Sequence, residues 1–280
     1  MIDLMLPAFV AAMIIVGIHS YLGVHIIARG VIFVDLALAQ VAAMGWALAE
    51  LGLAQSVSTA TGLPEETAAY IVGLAATLVA AALFSMSRMD NSRIPQEAII
   101  GIVYVVASAA TILLAAQAPR GAEHVEQLLT GTLLWVTWPR IWKTAALYLV
   151  LAAVHWVFRK RFMLISLHPK EAIALGYRVR LWDFVFYALF GLVVTASVSI
   201  AGVLLVFSFL VIPAVIAFLF TERSGPLLII AWSTGIVATV VGLVVSYRGD
   251  LPTGPVVVLA FGAALVVAFA VKVVLGLRRA

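Results

Sequence analysis

The sequence predicts an all-α polytopic membrane protein, with eight or nine transmembrane helices and one short helix held in a cytoplasmic loop. Three observations lead there. Hydrophobic residues make up 65% of the 280 positions and charged ones 11%, against roughly 25% charged in soluble domains. Apolar runs long enough to cross a bilayer recur along the whole chain. Most of the 17 Lys and Arg residues collect in loops on one side of those runs, as the positive-inside rule expects. No loop is long enough to fold by itself, so residues 1–280 read as a single transmembrane domain.

Taken in order, the runs cover 5–28, 32–53, 67–87, 97–117, 139–158, 181–200, 202–220, 226–246 and 255–276. The sixth and seventh form one stretch from Leu181 to Phe220, with only Ala201 and Gly202 to turn on. If one of them is a half-span, the count is eight; otherwise it is nine. In the nine-span scheme the cytoplasmic side holds Arg29, Arg88, Arg93, the six cations of 159–180, Arg223, Lys272, Arg278 and Arg279. The outer side keeps Arg120, Arg140, Lys143 and Arg248. That split of 13 to 4 puts the N-terminus outside and the C-terminus inside. The first residues carry no positive n-region, so no cleavable signal is expected.

Composition also excludes function classes. The net charge of +4 comes from clustered loop cations and is no nucleic-acid footprint. With no cysteine, disulfides, thiolate metal sites and cysteine nucleophiles are absent. No G-x-x-x-x-G-K-[ST] loop occurs, so any ATP that drives this protein is hydrolysed by another chain.

The segment Arg159–Arg180 reads as a basic loop with a small helix inside it. Pro169 suits a first helical position, Glu171 lies where the helix dipole favours an anion, and Gly176 suits the C-terminal cap. A helix this short does not persist alone in water, so it should be ordered by something it docks against. By itself the segment fits either an interfacial turn among lipid headgroups or a docking element.

The run P-K-E-A-I-A-L-G at 169–176 resembles the coupling helix of ABC importer permeases, with small Ala172 and Ala174 allowing close approach to a partner groove. G-V-L-L-V-F-S-F-L-V-I-P-A at 202–214 is similar to the G-x-L-L-v-x-x-L-l-i-P-A segment of the zinc/manganese/iron ABC permease family. S-Y-R-G-D-L-P-T-G-P at 246–255 is similar to that family's S-x-x-x-D-L-P-T-G-P loop. P-Q-E-A-I-I-G-I-V-Y at 95–104 and L-L-T-G-T-L-L at 128–134 occupy the expected places. The resemblance implies a permease worked by a separate ATPase subunit, which binds the ATP and Mg. It implies a periplasmic or lipid-anchored solute-binding protein and a second permease copy. It also implies a divalent metal as cargo and the cytoplasmic membrane of a bacterium or archaeon as location.

Pro213 removes a backbone donor inside an apolar run and should kink or break its helix; broken helices line many translocation paths. Asp250, Pro252 and Gly254 build a turn by their chemistry, with Asp250 expected to cap the last helix rather than bind a passing cation.

Ionisable groups within the spans are costly and point to function. His19 and His25 lie in the first span, Asp35 and Gln40 in the second, and His155 and Asp183 near cytoplasmic ends, where they read as snorkelling interface residues. His19 and His25 diverge by about 120° on an ideal helix and Asp35 and Gln40 by about 140°, so neither pair chelates one ion alone. His19 and Asp35 are the candidate metal ligands. The stretch 33–45 aligns with the metal permeases' G-D-A-L-A-H-x-x-x-x-G, but Gln40 stands at the family's histidine and Leu36 at its aspartate. Gln offers a neutral carbonyl, a weak zinc ligand beside imidazole. Either His19, His25 and Asp35 rebuild the ion path, or the cargo differs. Ala39, Ala42, Ala43 and Gly45 fit close helix packing. In the outer loops, Glu123, His124 and Glu126, like Glu65 and Glu66, read as hydrated surface.

The expected function is therefore the membrane subunit of an importer for zinc, manganese or iron. An ABC permease for an organic cargo, such as a metal chelate, vitamin or siderophore, is one alternative. A stand-alone transporter using His19 and Asp35 as a proton relay is another.

Overall fold

A computed structural model describes residues 2–88, 94–117, 131 and 133–276. Every regular element among them is helical: α1 (Ile2–Arg29), α2 (Val34–Leu48), α3 (Ala54–Thr61), α4 (Glu65–Ser87), α5 (Gln96–Ala115), α6 (Trp138–Val157) and α7 (Arg159–Leu167). They are followed by α8 (Pro169–Ala174), α9 (Val179–Ala201), α10 (Val203–Phe220), α11 (Ser224–Gly249) and α12 (Thr253–Val274). Eight helical segments are long and apolar enough to cross a membrane, and the pair α6–α7, bent by 73°, makes a ninth if it is one span. Glu123, His124 and Glu126, with Arg93, Arg120, Arg278 and Arg279, lie outside the described residues.

One of the nine runs differs from its expected form, and the open question at Leu181–Phe220 is answered. The second span extends to Thr61, because a kink within Ala49–Leu53, at Gly52 with φ 109°, joins α2 to α3. Glycine enters that backbone region without a Cβ penalty. The stretch from Leu181 to Phe220 does hold two full helices. Gly202, at φ 77°, is the single residue between them, in a backbone region that glycine enters without a Cβ penalty.

The chain forms two compact units: residues 1–29, 130–154 and 200–280 in one, and 30–129 with 155–199 in the other. In the first, α1 packs on α10 and α11 through small residues. A Cβ on Gly23 would lie 2.0 Å from the Leu210 carbonyl oxygen, and one on Gly235 would lie 2.9 Å from Ser20 Oγ. The Trp232 indole donates to the Gly17 carbonyl at 2.8 Å. Lipid is as apolar as leucine, so close backbone approach and such hydrogen bonds hold membrane helices together. Gly131, from the 128–134 motif, sits so tightly on the link that a Cβ would come within 2.2 Å of the Ala201 carbonyl carbon.

In the second unit α2 packs between α4 and α5. A Cβ on Gly45 would meet the Gly73 Cα at 2.7 Å, and Ala39, Ala42 and Ala43 are all buried, as their size suggested.

Pro213 does not break its helix: α10 runs from Val203 through it to Phe220. The cost is one hydrogen bond, and surrounding protein accommodates it, with the proline ring packed near Gly235. Asp250 also departs from expectation. It ends α11 in a left-handed conformation, φ 50° and ψ 44°, while α12 begins after Pro252 without a side-chain cap. Ser246 Oγ closes the turn by donating to the Leu251 carbonyl at 2.8 Å, and it contacts Thr253 Oγ1 at 3.0 Å. Gly254 belongs to the first turn of α12.

Candidate functional site

In the first unit the buried histidines His19 and His25 both lie on α1. His19 is fully buried, and its Nδ1–H donates to the Ile15 carbonyl at 2.9 Å, one helical turn back. A carbonyl only accepts, so the proton sits on Nδ1 and Nε2 carries the free lone pair. That Nε2 is buried without a hydrogen-bond partner. His25 is 1% exposed and stands edge-on to Tyr21, ring centroids 4.8 Å apart. Helix α1 is continuous through both histidines, so they remain on separate faces. Ser20, next to His19, also has a buried hydroxyl without a partner. Sequence reading passed it over because a lone serine in a membrane helix ordinarily bonds its own backbone.

In the second unit, Asp35 lies in the first turn of α2, 1% exposed, and its Oδ1 has no hydrogen-bond partner. An unpaired carboxylate there is costly, so the group calls for a proton or a cation. Gln40 is half-buried one turn further, and Thr111 of α5 approaches its backbone carbonyl at 3.5 Å.

Glu97, read only as part of a motif, proves to hold the start of α2. Its Oε1 accepts the Phe33 N–H at 2.9 Å, whereas α2 has no side-chain cap of its own. Helix N-termini leave N–H groups unsatisfied, and here a carboxylate from α5 fills that role across 64 residues of sequence. Its Oε2 is buried without a partner. The signal available in sequence was a glutamate in the first turn after Pro95, but its target was not.

Within neither unit do three or more His, Asp or Glu side chains among the described residues gather into a group able to hold a metal. His155 and Asp183 are not snorkelling residues. His155 is 4% exposed and stacked on Phe162 at 4.6 Å. Asp183 is fully buried, and Arg88 Nη1 donates to it at 2.8 Å, tying the end of α4 to the start of α9.

The basic loop contains two helices instead of one. Phe162, Ile165 and Ser166 of α7 are buried, and Phe162 packs among His155, Trp182 and Phe186. Helix α8 then runs from Pro169, at its first turn, to Ala174. Its exit is a Schellman cap: Tyr177 N–H donates to the Ala172 carbonyl at 3.1 Å and Gly176 N–H to Ile173 at 2.9 Å, with Gly176 at φ 78°. Ala172 is fully buried, so it faces its own chain and not a partner groove. What α8 and its C-cap present outward is Lys170, Glu171, Ile173, Ala174 and Leu175, with Ile173 46% and Leu175 63% exposed. Its apolar side is therefore split between a seat on this chain and an open face.

The sequence matches the ABC 3 transport family over residues 1–272. The manganese transport system membrane protein MntC of Listeria innocua is 30% identical over 190 residues, 68% of each chain. The chelated iron transport system membrane protein YfeD of Yersinia pestis is 27% identical over 198 residues, 71% of this chain and 65% of its own. In three dimensions the chain resembles PsaBC from Streptococcus pneumoniae, solved in complex with Fab. The TM-score is 0.74 at 23% identity, over 94% of this chain and 90% of that one.

Proposed function

The chain belongs to the ABC 3 transport family, and on that premise we propose that it is the permease subunit of an importer for a divalent transition metal. It is an integral protein of the cytoplasmic membrane. A solute-binding protein delivers cargo to the outer mouth, two copies of the permease enclose the path, and separate ATPase subunits bind ATP and Mg. The observation that carries the reading is α8: a capped helix with one alanine seated on its own chain and apolar Ile173 and Leu175 left open. That is the form of an element that receives motion from a motor. The absence of a nucleotide loop anywhere in the sequence fits an external one.

Manganese and iron are favoured as cargo by the names of the relatives MntC and YfeD. The proposed contacts for the ion are His19 in the first unit, through its bare Nε2, and Asp35 in the second, through its unpartnered Oδ1, with His25 and Gln40 as further candidates on the same two helices. Imidazole and carboxylate together suit manganese and iron better than a neutral amide does. The reading is tested by uptake of radiolabelled manganese, iron and zinc into cells carrying His19→Ala or Asp35→Ala. Each variant should be inserted normally yet import metal poorly; normal import by both removes these residues from the path. Gln40 favours one second reading, a chelated cargo, and competition of uptake by metal chelates separates it from the free ion.

A further inference from the structure

Three arginines meet at one cavity in the second unit. It encloses about 390 Å³ and is lined by Arg88, Ile173, Tyr177, Arg178, Val179 and Arg180. Among the described residues that line it there is no carboxylate. Arg88 gives its charge to the buried Asp183 at 2.8 Å. Arg178 and Arg180 are exposed, and neither has an ion-pair partner among the described residues. Two guanidinium groups at one hollow make a site where an anion is favoured. Guanidinium forks suit phosphate, binding it through paired N–H donors. The start of α9 adds the positive end of a helix dipole at Val179.

The surroundings identify where such a phosphate comes from. Ile173 and Tyr177 give the cavity an apolar wall. In the same segment, Arg161 lies 4.9 Å over the Trp182 ring and Arg159 lies 4.3 Å over Trp156. Trp156 is 69% and Leu181 53% exposed. Tryptophan rings, cation–π pairs and an exposed leucine in one segment at the end of the spans fit the headgroup zone of a bilayer. By the cation distribution this is the cytoplasmic leaflet. We propose that the cavity binds the headgroup of an anionic phospholipid, with Arg178 and Arg180 on its phosphate and the Tyr177 ring against its glycerol backbone. Ile173 belongs to α8 and Tyr177 closes its cap, so the lipid braces the loop that holds α8.

The test uses the full chain in detergent, titrated with short-chain phosphatidylglycerol and followed by native mass spectrometry. Parallel titrations use phosphatidylcholine and inorganic phosphate. The double variant Arg178→Gln/Arg180→Gln is compared with Arg159→Gln/Lys160→Gln, which removes the same charge from the same segment outside the cavity. Elution volume and circular dichroism establish that both variants fold. The wild type should retain one phosphatidylglycerol in preference to phosphatidylcholine, and the control variant should match it. The cavity variant should bind it about twenty-five-fold more weakly, at roughly fivefold for each basic side chain near an anionic surface. Equal losses in both variants would show diffuse attraction and overturn the site. Saturation by inorganic phosphate with no gain from the lipid would overturn the lipid assignment.

Discussion

Replacing Ala172 by leucine should unseat α8 while leaving the spans intact. Ala172 is packed wholly against its own chain, at 0% accessibility, so an isobutyl group must displace its neighbours. Overpacking of this kind costs about 1–3 kcal/mol. A helix of six residues has no stability of its own to offset that. At 1.4 kcal/mol per factor of ten, the docked population falls roughly 5- to 150-fold. The assay is limited trypsin digestion of the purified chain, because Lys170 and Arg178 flank the seat and are both exposed. Cleavage rate follows the open population when reclosing is fast, so Ala172→Leu should be cut at these sites at least about fivefold faster. Ala174→Leu, on the open face, should be cut at the wild-type rate yet weaken stimulation of the partner ATPase. Wild-type cleavage of Ala172→Leu would refute the seat.

Three further outcomes rest on named contacts. Glu97→Ala removes the acceptor of the Phe33 N–H and should lower stability by about 1–2 kcal/mol with loss of uptake. Glu97→Gln keeps an acceptor oxygen and should retain most of both, measured by thermal unfolding and metal accumulation. Arg88→Ala strips a cation from the buried Asp183, at a cost on the order of 3 kcal/mol, reduced because Arg88 is partly exposed. Adding Asp183→Asn should recover part of the melting temperature. Gly131→Ala sets a Cβ against the Ala201 backbone, at 2.2 Å and with φ 73°. It should sharply reduce the yield of monodisperse protein in size-exclusion chromatography, whereas Gly17→Ala, which meets nothing within 4 Å, should not.

The spans were legible because burying peptide groups in lipid permits little but helices, and apolar length then marks each one. Ala201 and Gly202 were legible as the place to turn, but they leave open whether two full spans or a half-span flank them. The cap at Gly176 was legible because glycine suits that position. What escaped was tertiary. The Arg159–Leu167 segment looked like a basic loop, although Phe162, Ile165 and Ser166 already had helical spacing; three cations at its start hid an inward face. Glu97 could not be paired with Phe33 without knowing that α5 lies on α2. Ala172 and Ala174 look alike in sequence, and only the packing tells the seated one from the open one. Pro213 and Asp250 obeyed their backbone chemistry but had alternatives that local rules left open: a helix can run through a proline, and an aspartate can end one helix as well as begin the next.

The central claim is that this chain moves metal only when an external ATPase works on it. Its direct test is uptake into proteoliposomes containing the chain with its cognate ATPase and solute-binding protein, assayed with radiolabelled manganese and iron. Accumulation should require all three proteins and hydrolysable ATP. Metal accumulation by the chain alone, driven by a proton gradient and indifferent to the ATPase, would contradict the account.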